Sequence, residues 1–347
     1  MTDKPKRERI WYWDILRIAA VVCLVIRHIS TACFDFVEPL GFRWWVFNAY
    51  GSLVAWMVPV YLMLSGAWFL DPEVRVDTRT LWRKNILRML IAFAVWSVLY
   101  TAYNLLSGQD RVTPVPQMLL QGHFHLWFLP MIAGVYMLVP ALRLACRDLK
   151  HTACLFFTAL TVSVAIPMLQ DLGWLPGEET LPALTFTGFL SAHICFFTAG
   201  HLFHRAALSR GQRRLLYGLA AAATVCMFVG TWLLTRRDGV NNEDLQSDAN
   251  LLSGIQGIAL FVFVKQRCKN ADFQPQVKEA LKAYSALTFG VYLVHVMPIA
   301  YMDRLGFSGM SHNPLWMIPL MICLVVPLSF LLTWLIRKIP FAGRWIT

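Results

Sequence analysis

Ten apolar stretches, each near the length of a membrane-spanning helix, alternate along the chain with short polar connectors. They fall at residues 12–33, 47–70, 83–106, 125–145, 153–170, 186–207, 214–235, 249–266, 283–302 and 314–336. A helix needs about 20 mainly apolar residues to cross a bilayer. The pattern therefore predicts an all-α integral membrane protein of about ten transmembrane helices. The connectors are too short for a separate soluble domain, so the whole chain, 1–347, reads as one membrane-embedded unit.

Polar residues interrupt this pattern most sharply in the first helix, Trp13-Asp14-Ile15-Leu16-Arg17 through Arg27-His28. An ionisable side chain at a bilayer centre costs roughly 2.5–3.5 kcal/mol on insertion scales, so these groups are expected to face partners or a polar interior. Arg17 and His28 are eleven positions apart, close to three helical turns. They share a face, separated by about 16 Å along the axis. Asp14 sits one turn before Arg17, where the two can partly neutralise each other. Arg27 is rotated by about 100° from His28 and is expected to snorkel to the outer surface.

Composition agrees. Apolar residues make up 57% of the chain and charged residues 15%, with a mean hydropathy of +0.53. Soluble domains carry about 25% charged residues. The net charge of +11 raises the question of nucleic acid, but the cations form no single patch or Arg/aromatic ladder. They cluster between apolar runs, as membrane orientation requires. With the N-terminus inside, 24 of the 31 Lys and Arg residues lie on the cytoplasmic side, which places both termini there. The outer connectors are comparatively acidic (Glu178, Glu179, Glu243, Asp244) and read as solvated loops. The eight cysteines (Cys23, Cys33, Cys146, Cys154, Cys195, Cys226, Cys268, Cys323) show neither CxxC nor metal spacing and are expected to be small buried hydrophobes, so no metal site is read. The basic N-terminus and following apolar run lack a small-residue cleavage site, so the first helix reads as retained.

Chemistry concentrates at a few places. Arg83, Lys84 and Arg88 open the third helix, and Lys84 and Arg88, at i and i+4, can clamp phosphates or simply anchor the helix. Arg17 can meet a phosphate-bearing molecule from the cytoplasm, while His28, deeper in, can act as general base on a hydroxyl. Equally, Asp14–Arg17 fits a structural pair and His28 a hydrogen-bonded bundle residue. His125 and Trp127 open the fourth helix. Tyr292 and His295 lie one turn apart in the ninth. Pro59 predicts a kink in the second helix, and Ser65-Gly66 a close-packing small pair.

Taken in order, these residues carry a resemblance. Asp14-x-x-Arg17, ten residues, His28; Val58-Pro59 with Leu64-Ser65-Gly66; Lys84 and Arg88; His125-x-Trp127-Phe128; and Gly290-x-Tyr292-Leu293-x-His295 together resemble the acyltransferase-3 family of bacterial membrane acyltransferases. The chain is most similar to its short form without a periplasmic domain, in the branch of enterobacterial common antigen O-acetyltransferases. The resemblance implies transfer of an acyl group, usually acetyl, from cytoplasmic acetyl-CoA to a glycan or other small hydroxyl-bearing acceptor at the bacterial inner membrane. It also implies an essential pair, Arg17 and His28, with Arg83, Lys84 and Arg88 serving the acyl donor. His28 would act as base or as a transient acyl carrier, with Asp14 holding Arg17. Lys84 stands where relatives often have arginine, and so lacks the bidentate fork. Ten helices with buried ionisable groups also fit a transporter or flippase, although no inverted repeat is evident. The sequence leaves the acceptor, acyl length and oligomeric state open.

Overall fold

In a computed structural model the described residues are 8–31, 34–108, 112–175, 191–340 and 343–347. Among them the chain is helical with no strand, as an all-α membrane protein requires. The helices are α1 (Trp11–Thr31), α2 (Phe42–Phe69), α3 (Thr78–Ser107), α4 (Phe124–Met137), α5 (Leu149–Asp171), α6 (Ala192–Arg205), α7 (Arg210–Asp238), α8 (Leu251–Cys268), α9 (Pro275–Val294) and α10 (Pro314–Arg337). Among the described residues seven helices are long and apolar enough to span a membrane, or nine if two bent pairs each cross once, beside the ten expected from the sequence. The sixth predicted stretch contributes only the 14-residue α6, its residues 186–190 lying outside the described residues. Leucines and valines of α3, α7 and α10, such as Leu99, Val225 and Leu331, are exposed, as lipid-facing surface should be.

The irregularities have local causes. In α2 the helix breaks after Val54 and resumes at Met57, because Pro59 lacks the N–H that would bond one turn back. The first turns of α3, Leu81–Ile86, are π-helical, and α5 has a π segment, Thr161–Ala165, just before Pro167. Two sharp bends matter most for the site. A 54° bend separates α9 from the following helix, Val296–Arg304, at His295, three residues before Pro298. A 46° bend separates the short helix Val115–Gln121 from α4. Here Gly122 adopts φ +69°, and a Cβ at that position would stand 2.7 Å from Phe93 Cε2. Only glycine takes that left-handed turn at little cost.

Small residues bring α2 and α6 into backbone contact. A Cβ on Gly66 would lie within bonding distance of Phe197 O, and one on Gly200 equally close to Met63 O. The predicted Ser65-Gly66 pair is therefore a packing seam. The cysteines divide: Cys146 and Cys195 are buried, whereas Cys154, Cys226 and Cys323 are exposed, contrary to the expectation of burial throughout. A thiol is apolar enough for a lipid-facing surface. Cys33 lies outside the described residues.

Candidate functional site

The site is built on α1 and α9, which run side by side in the same direction. Arg17 Nη1 donates to Ser285 Oγ at 3.3 Å near one end. Eleven residues on, the His28 and His295 rings lie 5.0 Å apart between centroids. Between the two helices and α2, α3 and α4 opens a cavity of about 730 Å³. At one end it is lined by Lys84, Arg88 and Arg17, and at the other by Arg27, His28, Glu243 and Asp248. Tyr61, Ser65, Trp127, Phe128 and Tyr292 line it as well.

At the cationic end, the expected Asp14–Arg17 pair forms but is loose, because a nearer cation shares the carboxylate. Asp14 is buried, and its two oxygens accept from Arg9 Nε at 2.6 Å and Nη2 at 2.8 Å, while Arg17 Nη1 stands 3.9 Å away. Hydrogen bonding to Asp14 holds the Arg9 guanidinium above its ordinary pKa. Asp14 therefore belongs chiefly to Arg9, and Arg17 keeps much of its donor capacity for the cavity. Tyr61 donates to Arg17 O at 3.3 Å. Arg88 packs 4.8 Å over the Phe289 ring and donates from Nη2 to Thr347 O at 2.7 Å, and its buried Nε has no partner among the described residues. Lys84 and Arg88 both reach the cavity, but Arg83 is exposed and does not line it. Arg83 and Lys84 are adjacent and so point in different directions, whereas Lys84 and Arg88, four positions apart, share a face that Arg83 does not.

At the other end the two bends gather imidazoles. His125 is buried, and its Nδ1 lies 3.0 Å from Nδ1 of His123. Tyr292 donates to His125 O at 2.6 Å, and Tyr100 donates to Leu293 O at 2.9 Å beside the bend. His295 is fully buried, with Nδ1 2.8 Å from Tyr292 O. The His28 ring lies between Phe124, at 5.2 Å, and His295. Among the described residues these groups do not assemble a metal-ligand set. Ser65 Oγ lies 3.2 Å from the Tyr136 hydroxyl, and the Trp127 ring packs 5.9 Å from His193.

Arg27 does not snorkel. Its side chain is only 12% exposed, donating to Gln246 Oε1 at 2.8 Å and to Glu243 Oε2 at 3.0 Å. Gln246 in turn donates to Asn48 Oδ1 at 2.6 Å and Ser52 Oγ at 3.1 Å. The connector between α7 and α8 thus folds onto the cavity instead of remaining a solvated loop, although Asp244 within it is exposed. Burial raises the Glu243 carboxyl even though Arg27 pulls it back, so the pair fixes geometry at some electrostatic cost. Glu178 and Glu179 lie outside the described residues.

Sequence reasoning missed His123, Tyr136, Ser285 and Gln246, and read Glu243 as part of a solvated loop. His123 carried a signal, standing right after a glycine and two residues before His125; the others became visible only through folding. Searches of curated proteins and of solved structures returned no match. Among known families, residues 10–335 match the acyltransferase-3 family (Acyl_transf_3, Acyltransferase domain). That match decides between the enzyme and the transporter readings. With nearly the whole helical chain inside the matched region, the protein belongs to the acyltransferase-3 family and is a membrane acyltransferase.

Proposed function

We propose that the protein moves an acetyl group from cytoplasmic acetyl-CoA to a hydroxyl of a cell-envelope glycan or a similar small acceptor. The observation that carries this reading is a cavity with cations at one end and an imidazole, about three helical turns away, at the other. Lys84 and Arg88 would hold the donor's phosphates by charge-assisted bonds, with Arg17 beside the pantetheine arm. The Nε of Arg88, without a partner among the described residues, and the exposure of Arg17 to the cavity fit an anionic, extended donor.

The thioester then lies near His28. His28 takes the proton of the acceptor hydroxyl as that oxygen attacks the acyl carbon, or first carries the acyl group on its own ring. The aliphatic and aromatic lining keeps water from the thioester. The excess of Lys and Arg in alternate connectors supports an orientation with both termini in the cytoplasm, and in this reading the protein works in a bacterial inner membrane. Within the family, the short form that acetylates enterobacterial common antigen is the proposed branch.

The test is thiol release from acetyl-CoA by detergent-purified protein, wild type beside His28→Ala, with and without an extracted bacterial glycolipid fraction. Release should require both His28 and the fraction. Release independent of His28 would overturn the mechanism. Acid quenching of a single turnover with radiolabelled acetyl-CoA separates the two routes, because only the carrier route labels the protein before the acceptor.

A further inference from the structure

The surroundings of His295 fix its tautomer. Its Nδ1 lies 2.8 Å from Tyr292 O and 3.2 Å from Val291 O. Both are acceptors, so in the neutral ring Nδ1 carries the proton and Nε2 carries a lone pair. Nε2 is buried and has no hydrogen-bond partner among the described residues. Buried polar atoms are nearly always paired, so this one asks for a donor. The His28 ring is 5.0 Å away and tilted by 32°. Two imidazoles joined edge to edge by one N–H···N bond have centroids about 5 Å apart. The other ring packed on His28, Phe124, offers no lone pair of that kind. His125 stands 5.2 Å from His295 and nearly perpendicular to it, with Nδ1 turned to His123 and Nε2 buried without a partner among the described residues, so it is the competing donor, one that does not reach the acyl acceptor as His28 does in the proposed reading.

We infer that His295 is a positioning residue for His28, its Nε2 accepting the N–H of His28 during turnover and presenting the other His28 nitrogen to the cavity. This rests on the proposed reading of His28 as base or acyl carrier. In the base route the acceptor oxygen bonds to the acyl carbon and its proton passes to the free His28 nitrogen. The carbon–sulfur bond breaks, and the departing thiolate recovers that proton from His28. His295 neither gains nor loses a proton. It holds the ring in place and disperses the positive charge of the transient imidazolium through the N–H···N bond. The parallel course of α1 and α9, with the bend at His295, puts this nitrogen beside His28 and away from the acyl donor's cationic end.

The experiment compares His295→Leu, His295→Asn and His295→Gln in purified protein, alone and in the His28→Ala background. A glutamine carbonyl can reach the place of Nε2, whereas asparagine stops near Nδ1 and leucine offers no acceptor. Leucine and asparagine are expected to lower kcat by about 10²–10³-fold, with KM for acetyl-CoA within about twofold, and glutamine to recover to within about tenfold of wild type. In the His28→Ala background the same substitutions should change nothing further, because the two residues act as one unit. If His295→Leu unfolds, as judged by its melting in detergent, the asparagine–glutamine contrast carries the test. Wild-type rates in His295→Leu or His295→Asn, equal loss in asparagine and glutamine, or losses that multiply with His28→Ala would each overturn the inference. Wild-type transfer by His28→Ala itself would instead remove the proposed function beneath it.

Discussion

Helix α1 carries two arginines ten residues apart, and the fold treats them in opposite ways. Arg27 is locked: Glu243 and Gln246 take its guanidinium, and the side chain is 12% exposed. Arg17 is 40% exposed into the cavity, 3.9 Å from an aspartate that Arg9 already occupies. An arginine whose donors are spent on protein acceptors holds the fold together. One whose donors remain open is ready for a ligand, since its desolvation is not yet offset by a partner. The difference lies wholly in what the rest of the chain brings to each.

The strongest test of this contrast begins beside Arg27, at His28. Replacing it with alanine should lower acyl transfer by about 10²–10⁴-fold, measured as CoA release, while thermal unfolding in detergent stays close to wild type. Next come the open cations. Arg17→Met or Arg88→Met should weaken donor binding or turnover by about 10–100-fold, the scale of a hydrogen bond to a charged group, read from kcat/KM for acetyl-CoA. Arg17→Lys should recover only part, because the point charge lacks the planar fork.

Arg27→Met should instead act on stability, costing about 1–3 kcal/mol by leaving Gln246 Oε1 unpaired and Glu243 without its cation. The readout is an earlier unfolding midpoint in detergent. Gly51→Ala should imitate it, because the added Cβ would collide with Gln246 Oε1 and stand 2.7 Å from Arg27 Nη1. If Arg17→Met were the destabilised variant and Arg27→Met the stable one, the contrast between locked and open arginines would be wrong. The smallest effect is expected at Arg83, which lies outside the cavity. Arg83→Ala should change KM for the donor by less than about twofold, whereas Lys84→Ala should raise it measurably.

Much of this was legible beforehand where a helix by itself dictates the outcome. The eleven-residue step from Arg17 to His28 places both on one wall because the α-helix repeats every 3.6 residues. Pro59 breaks α2 because it lacks an N–H, and Lys84 with Arg88 reaches the same cavity as their spacing suggested. Arg27 and the acidic connector were misread for a shared reason. Their fates depend on which element packs opposite, and a connector's path is not encoded in its own polarity.

The amino-acid sequence by itself determined that this is a helical membrane protein with ionisable groups forced into its interior. Apolar length and the cost of buried charge are properties of each segment alone. Tertiary structure decided which of those groups meet. It paired Asp14 with Arg9, closed Glu243 over Arg27, and bent two helices so that His123, His125 and His295 gather near His28. Partner choice is a contest among all groups within reach, and reach across the bundle exists only after the helices have packed.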